Sequence, residues 1–315
     1  MKAVVINDVT SSDNVELVDE EVPKVIPGWV LLKIKAFGLN HSEQILRLNE
    51  IKYDYIKKPI IPGIECVGEI VDASDTDFKS GQKVIAMMGG MGRSFNGSYA
   101  EYALLPAHHV FAIESNLKWE QLAVIPETYY TAWGSLFESL NLKYEDTLLI
   151  RGASCALGRV AIQLAKAVGC KVIATTHKEK YISDLSEADQ VIIDDGKLTG
   201  KICGVTKALD LVGPRNLIDT LTSVEKGAIV CQTGILGGVY SLNGFDPIKD
   251  IPNRVYLTGF YSNYPTQEIV DDMFRFINVH QIAPKYGEVY KFDDIKSAIK
   301  AQDSGGVDGK IVVTM

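Results

Sequence analysis

The first residues that could do chemistry form a run of small side chains, Gly152-Ala153-Ser154-Cys155-Ala156-Leu157-Gly158. An apolar run at 147–150 reads as a strand before it. Apolar residues at helical spacing over 159–168 read as a helix after it. A strand, a tight turn and a helix start together make an anion site. The first N–H groups of a helix have no partner within it, and the helix dipole favours negative charge there. The turn therefore suits a pyrophosphate, with Ser154, Cys155, Ala156, Leu157 and Gly158 as candidate contacts. The G-x-G-x-x-G fingerprint falls on Ala153, Cys155 and Gly158, so only its last glycine is present. An ordinary βα turn competes with this reading of the loop alone. The second strand that follows, at 171–176, favours the cofactor.

The end of that second strand sorts one dinucleotide from another. An acid there binds the ribose 2′-hydroxyl and repels a 2′-phosphate. This chain reads Ala174-Thr175-Thr176-His177-Lys178-Glu179, with two hydroxyls, a histidine and a lysine ahead of the first acid. Lysine is a good point-charge partner for phosphate. Thr175, Thr176, His177 and Lys178 are thus expected to face a 2′-phosphate, and NADP(H) is the expected cofactor. A solvated loop with incidental charge is the alternative.

Metal and thiol chemistry have less support. The five cysteines, Cys66, Cys155, Cys170, Cys203 and Cys231, are dispersed and form no C-x-x-C pair. Structural zinc sites are usually built on close pairs. These thiols are expected to be reduced and mostly buried, Cys155 included. His108 and His109 fall in an expected strand and are assigned no catalysis.

The elements that must position these residues follow from patterning. With 315 residues and 46% hydrophobic content, the chain can bury a large core without metals or disulfides. A net charge of -8 argues against nucleic acid as a partner. No apolar run is long enough for a membrane span, and the N-terminus has no leader-like pattern, so the cytoplasm is the expected location. Short apolar runs at 3–6, 30–36, 67–71, 82–87, 98–105 and 109–113, divided by turn pairs such as Pro62-Gly63 and Asn96-Gly97, predict a β-barrel-type domain. Helical spacing appears at 119–124 and 131–140. Strands at 147–150, 171–176, 190–193, 207–212, 227–232 and 255–259 alternate with helices, which predicts a doubly wound parallel sheet. A helix at 268–279, strands at 288–292 and 310–314 and a helix at 293–302 between them read as a return to the first domain. The expected divisions are 1–120, 121–265 and 266–315.

Several motifs in this order carry a family resemblance. They are Gly38-Leu39-Asn40-His41-Ser42-Glu43, Pro62-Gly63-Ile64-Glu65-Cys66-Val67-Gly68, Gly97-Ser98-Tyr99-Ala100-Glu101-Tyr102, the loop 152–158, Asp210-Leu211-Val212-Gly213 and Gly309-Lys310-Ile311-Val312-Val313. Over nearly the whole chain the sequence resembles the quinone oxidoreductases, zinc-free members of the medium-chain dehydrogenase/reductase superfamily. The resemblance implies an α/β protein with a GroES-like β-barrel-type domain and a Rossmann doubly wound parallel sheet, and a homodimer. Asn40, Ile64 and Glu127 stand where zinc-dependent relatives carry Cys, His and Cys. Glu65 and Glu43 remain, but two carboxylates alone are a poor zinc site.

The activity so implied is hydride transfer from NADPH to an electron-poor small molecule, a quinone or an α,β-unsaturated carbonyl. A reductase of enoyl thioesters and a non-enzymatic NADPH-binding protein are the alternatives, with a redox sensor using Cys155 ranked below them. Asn40 is the first candidate hydrogen-bond donor near the nicotinamide. Tyr53 is a candidate proton donor, against surface packing of Tyr53 and Tyr55. Thr131, Val212, Thr233, Gly234 and Ile235 are expected beside the cofactor, and Lys310 is expected to approach it from the returning tail. Tyr129 and Tyr130 stand open between pocket lining and core packing.

Overall fold

The computed structural model describes all residues from Met1 to Met315. The chain forms two compact units, Met1–Glu127 with Asn263–Met315, and Thr128–Ser262. No helix is long and apolar enough to cross a membrane.

The first unit is built on strands. β1 (Lys2–Val4) pairs antiparallel with β2 (Leu17–Asp19). β3 (Trp29–Gly38) is ten residues long and organises the main sheet. One of its edges carries β4 (Glu65–Asp72), which continues to β5 (Lys83–Met87) and β7 (Val110–Ala112). β6 (Tyr102–Pro106) pairs with its first half. Inward residues such as Val30, Leu32, Ile34 and Phe37 join Ile60, Ile70 and Val84 in one core. α1 (His41–Leu48) begins three residues after β3, and α2 (Trp119–Leu122) precedes α3 (Pro126–Trp133).

Two expectations shift here. The expected strand at 109–113 starts only at Val110, because Ala107–His109 closes a 3-10 turn; His108 and His109 therefore precede the strand. The expected strand at 98–105 pairs regularly only from Tyr102, with Ala100 bridging to Ala3.

The second unit is a six-stranded parallel sheet. Its strands are β8 (Thr147–Arg151), β9 (Lys171–Thr176), β10 (Gln190–Ile193), β11 (Lys207–Asp210), β12 (Ile229–Gln232) and β13 (Tyr256–Gly259). The order is β10-β9-β8-β11-β12-β13, all parallel. The order reverses between β8 and β11, where open α/β sheets bind ligands. α4 (Ala156–Val168) follows the small-residue loop and ends at Gly169, whose φ is 93°. α5 (Leu217–Thr222) and α6 (Pro247–Asp250) are short. The expected helix at 131–140 is only partly α-helical: α3 passes at Gly134 into a π-helical stretch, Gly134–Ser139. β11 stops at Asp210, two residues early, because the Asp210 carboxylate accepts the N–H groups of Val212 and Gly213 and turns the chain.

The tail belongs to the first unit. α7 (Gln267–Val279) is capped by the Thr266 hydroxyl, which accepts from Ile269 N. β14 (Val289–Lys291) pairs parallel with β15 (Val312–Thr314), and β15 pairs antiparallel with the second half of β3. α8 (Ile295–Ser304) lies between them in sequence.

Candidate active site

In the second unit, the loop after β8 is held by β9. Gly152 N donates to Thr175 Oγ1 at 3.1 Å and Ala153 N to Thr175 O at 2.8 Å. Thr175 is fully buried, so its hydroxyl braces the loop. Thr176, also buried, donates to Ser154 Oγ at 3.3 Å. His177 and Lys178 are exposed beyond the strand end, with no acid before Glu179. Ser154, Cys155, Ala156 and Leu157 are half-buried at the start of α4, with Cys155 as its N-cap. Cys155 Sγ accepts from Gly158 N at 3.3 Å, and burial pushes the thiol above its ordinary pKa. A Cβ on Gly158 would lie 2.5 Å from Ala153 O, which explains why this one glycine of the fingerprint is kept.

The expected cofactor-side residues Thr131 and Thr233 come together through a residue the sequence reading missed. Ser135, in the π-helical stretch, donates to Thr131 O at 2.7 Å and shares a 2.9 Å hydrogen bond with Thr233 Oγ1. Val212, Thr233, Gly234 and Ile235 are half-buried at the carboxyl ends of β11 and β12. Leu236 N and Gly237 N donate to Leu211 O and Val212 O and link these two loops.

A second omission is Arg151, at the end of β8. It is fully buried and bonds Asp194 at 2.8 Å, Asp219 at 2.9 Å, Thr220 Oγ1 at 2.9 Å and Asn216 O at 3.1 Å. Burial opposes its charge, but Asp194, Asp210 and Asp219 outweigh burial and keep the guanidinium ionised. Thr220 also donates to Asp210 Oδ2 at 2.5 Å. The signal was available: an arginine closing an otherwise apolar strand must find buried acids.

In the first unit, Asn40 is the centre of a buried polar group. Its Nδ2 donates to Glu65 Oε1 at 2.9 Å and to Glu43 Oε1 at 3.3 Å. Its backbone N donates to Glu43 Oε2 at 2.9 Å. Lys310 Nζ donates to Asn40 Oδ1 and pairs with Glu65 Oε1 at 2.6 Å. Glu127 N donates to Glu65 Oε2 at 2.8 Å, and the Glu127 carboxylate lies 3.9 Å from Lys310 Nζ. Burial works against the Lys310 ammonium, but Glu65, Glu127 and Glu43 hold its pKa above the ordinary lysine value. Burial also pushes Glu65 upward, against the pull of Lys310. The short contact between them is an ion pair in which the ammonium keeps its proton.

Asn40 and Lys310 are thus brought together, and both side-chain donors of Asn40 are committed to carboxylates. Tyr53 is not part of this group. It is 57% exposed and stacks on Tyr55 with ring centres 5.7 Å apart. Tyr129 and Tyr130 are buried, and Tyr129 Oη donates to Gln163. The residues do not fit a zinc ion. No set of three His, Cys, Asp or Glu side chains converges on a point. The charge facing Glu65 is the Lys310 ammonium, and the adjoining Asn40 and Ile64 offer an amide and an alkyl group, neither a thiolate nor an imidazole.

Residues 26–115 match the family described as alcohol dehydrogenase GroES-like domain, and residues 186–313 match the zinc-binding dehydrogenase family. A zinc-type alcohol dehydrogenase-like protein of Schizosaccharomyces pombe is 25% identical, with 99% of each chain covered. The quinone oxidoreductase of Homo sapiens is 25% identical over 94% of this chain and 92% of its own. The fold is shared with the yhdH oxidoreductase from Salmonella enterica, solved in complex with NADP, at a TM-score of 0.84 and 20% identity over the whole of both chains. With its GroES-like sheet unit and its Rossmann unit, the chain belongs to the medium-chain dehydrogenase/reductase superfamily.

Proposed function

We propose that the protein is an NADPH-dependent oxidoreductase that reduces a quinone or an α,β-unsaturated carbonyl without zinc. The observation that carries this reading is the Lys310 ammonium, fixed 2.6 Å from Glu65 and bonded to Asn40, in a set of donors that does not suit zinc. A bound metal ion stabilises an alkoxide, and without one simple alcohols become harder substrates. Electron-poor carbonyls need less help, because charge developing on oxygen can be met by fixed cations and hydrogen-bond donors. NADPH would supply the hydride. The chain's part is to hold the pyrophosphate on the N–H groups at the start of α4 and the 2′-phosphate against Thr176, His177 and Lys178. Thr131, Val212, Thr233, Gly234 and Ile235 would border the nicotinamide, and Asn40 and Lys310 are the candidate polar groups of the first unit. Support for NADPH over NADH comes from the missing acid at the end of β9 and from the NADP complex of the Salmonella neighbour.

The proposal includes a homodimer, supported by β13 at the outer edge of its sheet with Tyr256 60% exposed. Sedimentation at about twice 34.6 kDa is expected, and a monomer would remove this part.

A cofactor-binding protein without turnover is the second reading. It is favoured by one observation, that both side-chain donors of Asn40 point to carboxylates of its own unit. The test is an acceptor screen with chelator-treated protein and NADPH deuterated at C4. Deuterium at the β-carbon of a reduced enone, or NADPH consumed in step with hydroquinone formed, is the expected result. NADPH binding with no transfer to any acceptor would favour the second reading.

A further inference from the structure

Glu43 is 3% exposed and accepts three N–H groups: Asn40 N at 2.9 Å, Asn40 Nδ2 at 3.3 Å and Ile64 N at 3.0 Å. Both carboxyl oxygens are therefore used as acceptors. An ionised carboxylate is acceptor-only, whereas a protonated one turns one oxygen into a donor. Protonation would oppose an O–H to N–H groups that need an acceptor, and at least one of these bonds would weaken.

Glu43 also borders a small cavity of the first unit. Apolar side chains including Val4 and Ile6 line it, together with Glu43, Arg47, Tyr99 and Gln302. Tyr99 is 2% exposed, and its hydroxyl has no hydrogen-bond partner. A buried hydroxyl of this kind calls for one, and although the cavity is mostly apolar, Glu43, Arg47, Tyr99 and Gln302 in its lining supply polar groups enough for one water molecule. The charged groups around Glu43 come from several elements. Glu65 opens β4, Lys310 precedes β15, and Arg47 lies on the same helix, turned to Asp303 of α8 at 2.6 Å. Glu65 opposes ionisation of Glu43 and Lys310 favours it.

We propose that Glu43 is a positioning residue: ionised, it fixes the Asn40 carboxamide and through it the Lys310 ammonium, and it exchanges its proton through a water bound in the Tyr99 cavity. Burial pushes its carboxyl up to about 7, so the exchange falls in the neutral range. The effect on turnover rests on the active-site reading above; the link between Glu43 and Asn40 does not.

The test uses whole protein labelled with 15N at asparagine. The Asn40 side-chain amide is assigned by its loss in Asn40→Asp and followed between about pH 5.5 and 8.5. A shift with a midpoint near pH 7 in the wild type, absent from Glu43→Gln, is the expected result. Gln at this third helical position can still accept the Asn40 N–H of the cap through its one oxygen, so the variant keeps its fold while losing the titrating group. A flat wild-type profile, or the same midpoint in Glu43→Gln, would overturn the proposal. Tyr99→Phe should move the midpoint upward, and an unchanged midpoint would overturn the role of the bound water. The second readout is kcat/KM for quinone with NADPH. It should fall about tenfold per pH unit below 7 in the wild type and stay level in Glu43→Gln. A limb that persists in Glu43→Gln also counts against the proposal. A titrating amide without turnover on any acceptor would confirm the Glu43–Asn40 link and defeat the enzyme reading instead.

Discussion

A methyl group on Gly38 would sit 2.3 Å from Lys310 Cε and 2.7 Å from Glu65 Oε1. The ion pair therefore depends on an absent side chain as well as on the two that are present. Gly38→Ala should destabilise the protein by about 1–3 kcal/mol through overpacking, read from urea denaturation. An unchanged midpoint would mean that the Lys310–Glu65 pair moves aside freely. Glu43 makes a second prediction at this scale. Its carboxyl pKa is raised in the folded state to about 7 from an ordinary 4.5, so the folded state binds its proton more tightly. The resulting stability is present at low pH and is lost as pH rises from about 4.5 through 7. Between pH 5 and 8 the wild type should lose roughly 2–3 kcal/mol more than Glu43→Gln does. Equal losses would show that Glu43 carries no strained charge. At the residue level the sequence made Asn40 and Lys310 candidates from the order of motifs. It could not show that they meet, because 270 positions separate them. Nor could it show that Glu65 and Glu43 would take the side-chain donors of Asn40, the property first sought in that residue.

The carboxyl ends of the parallel strands act as one assembly because Arg151 ties β8 to the chain after β10, through Asp194, and to α5, through Asn216, Asp219 and Thr220. Arg151→Met removes the cation and leaves buried acids without it. A loss of about 3–5 kcal/mol in urea denaturation is expected. A loss below about 1 kcal/mol would mean that the acids simply take up protons. The loop before α4 gives a prediction for binding rather than folding. Gly158→Ala must push α4 from Ala153 O, and NADPH affinity measured by fluorescence titration should fall about tenfold, close to 1.4 kcal/mol. Strands and helices of this unit were largely legible, since β-branched runs alternate with helical spacing. Their ends were less so. β11 stops where Asp210 captures two N–H groups, and the helix expected to 140 turns π-helical after Trp133. Both changes depend on hydrogen bonds that periodicity does not encode.

For the whole molecule, the two-unit architecture was legible from the change between short punctuated strands and alternating strand–helix patterning. The structure divides at Glu127/Thr128 and Ser262/Asn263, whereas patterning marks only a change of character near 120 and 265. Net charge is -8, so a polyanionic cofactor must be drawn by local groups and not by the field of the chain. The central claim concerns which dinucleotide those groups accept. It is tested most directly by calorimetric titration of chelator-treated protein with NADPH and NADH at matched ionic strength. The account predicts NADPH binding at least about tenfold tighter, with the ratio shrinking in Lys178→Ala as a 2′-phosphate contact is lost. Equal or tighter binding of NADH would contradict the assignment of Thr176, His177 and Lys178, and binding of neither would contradict the oxidoreductase reading itself.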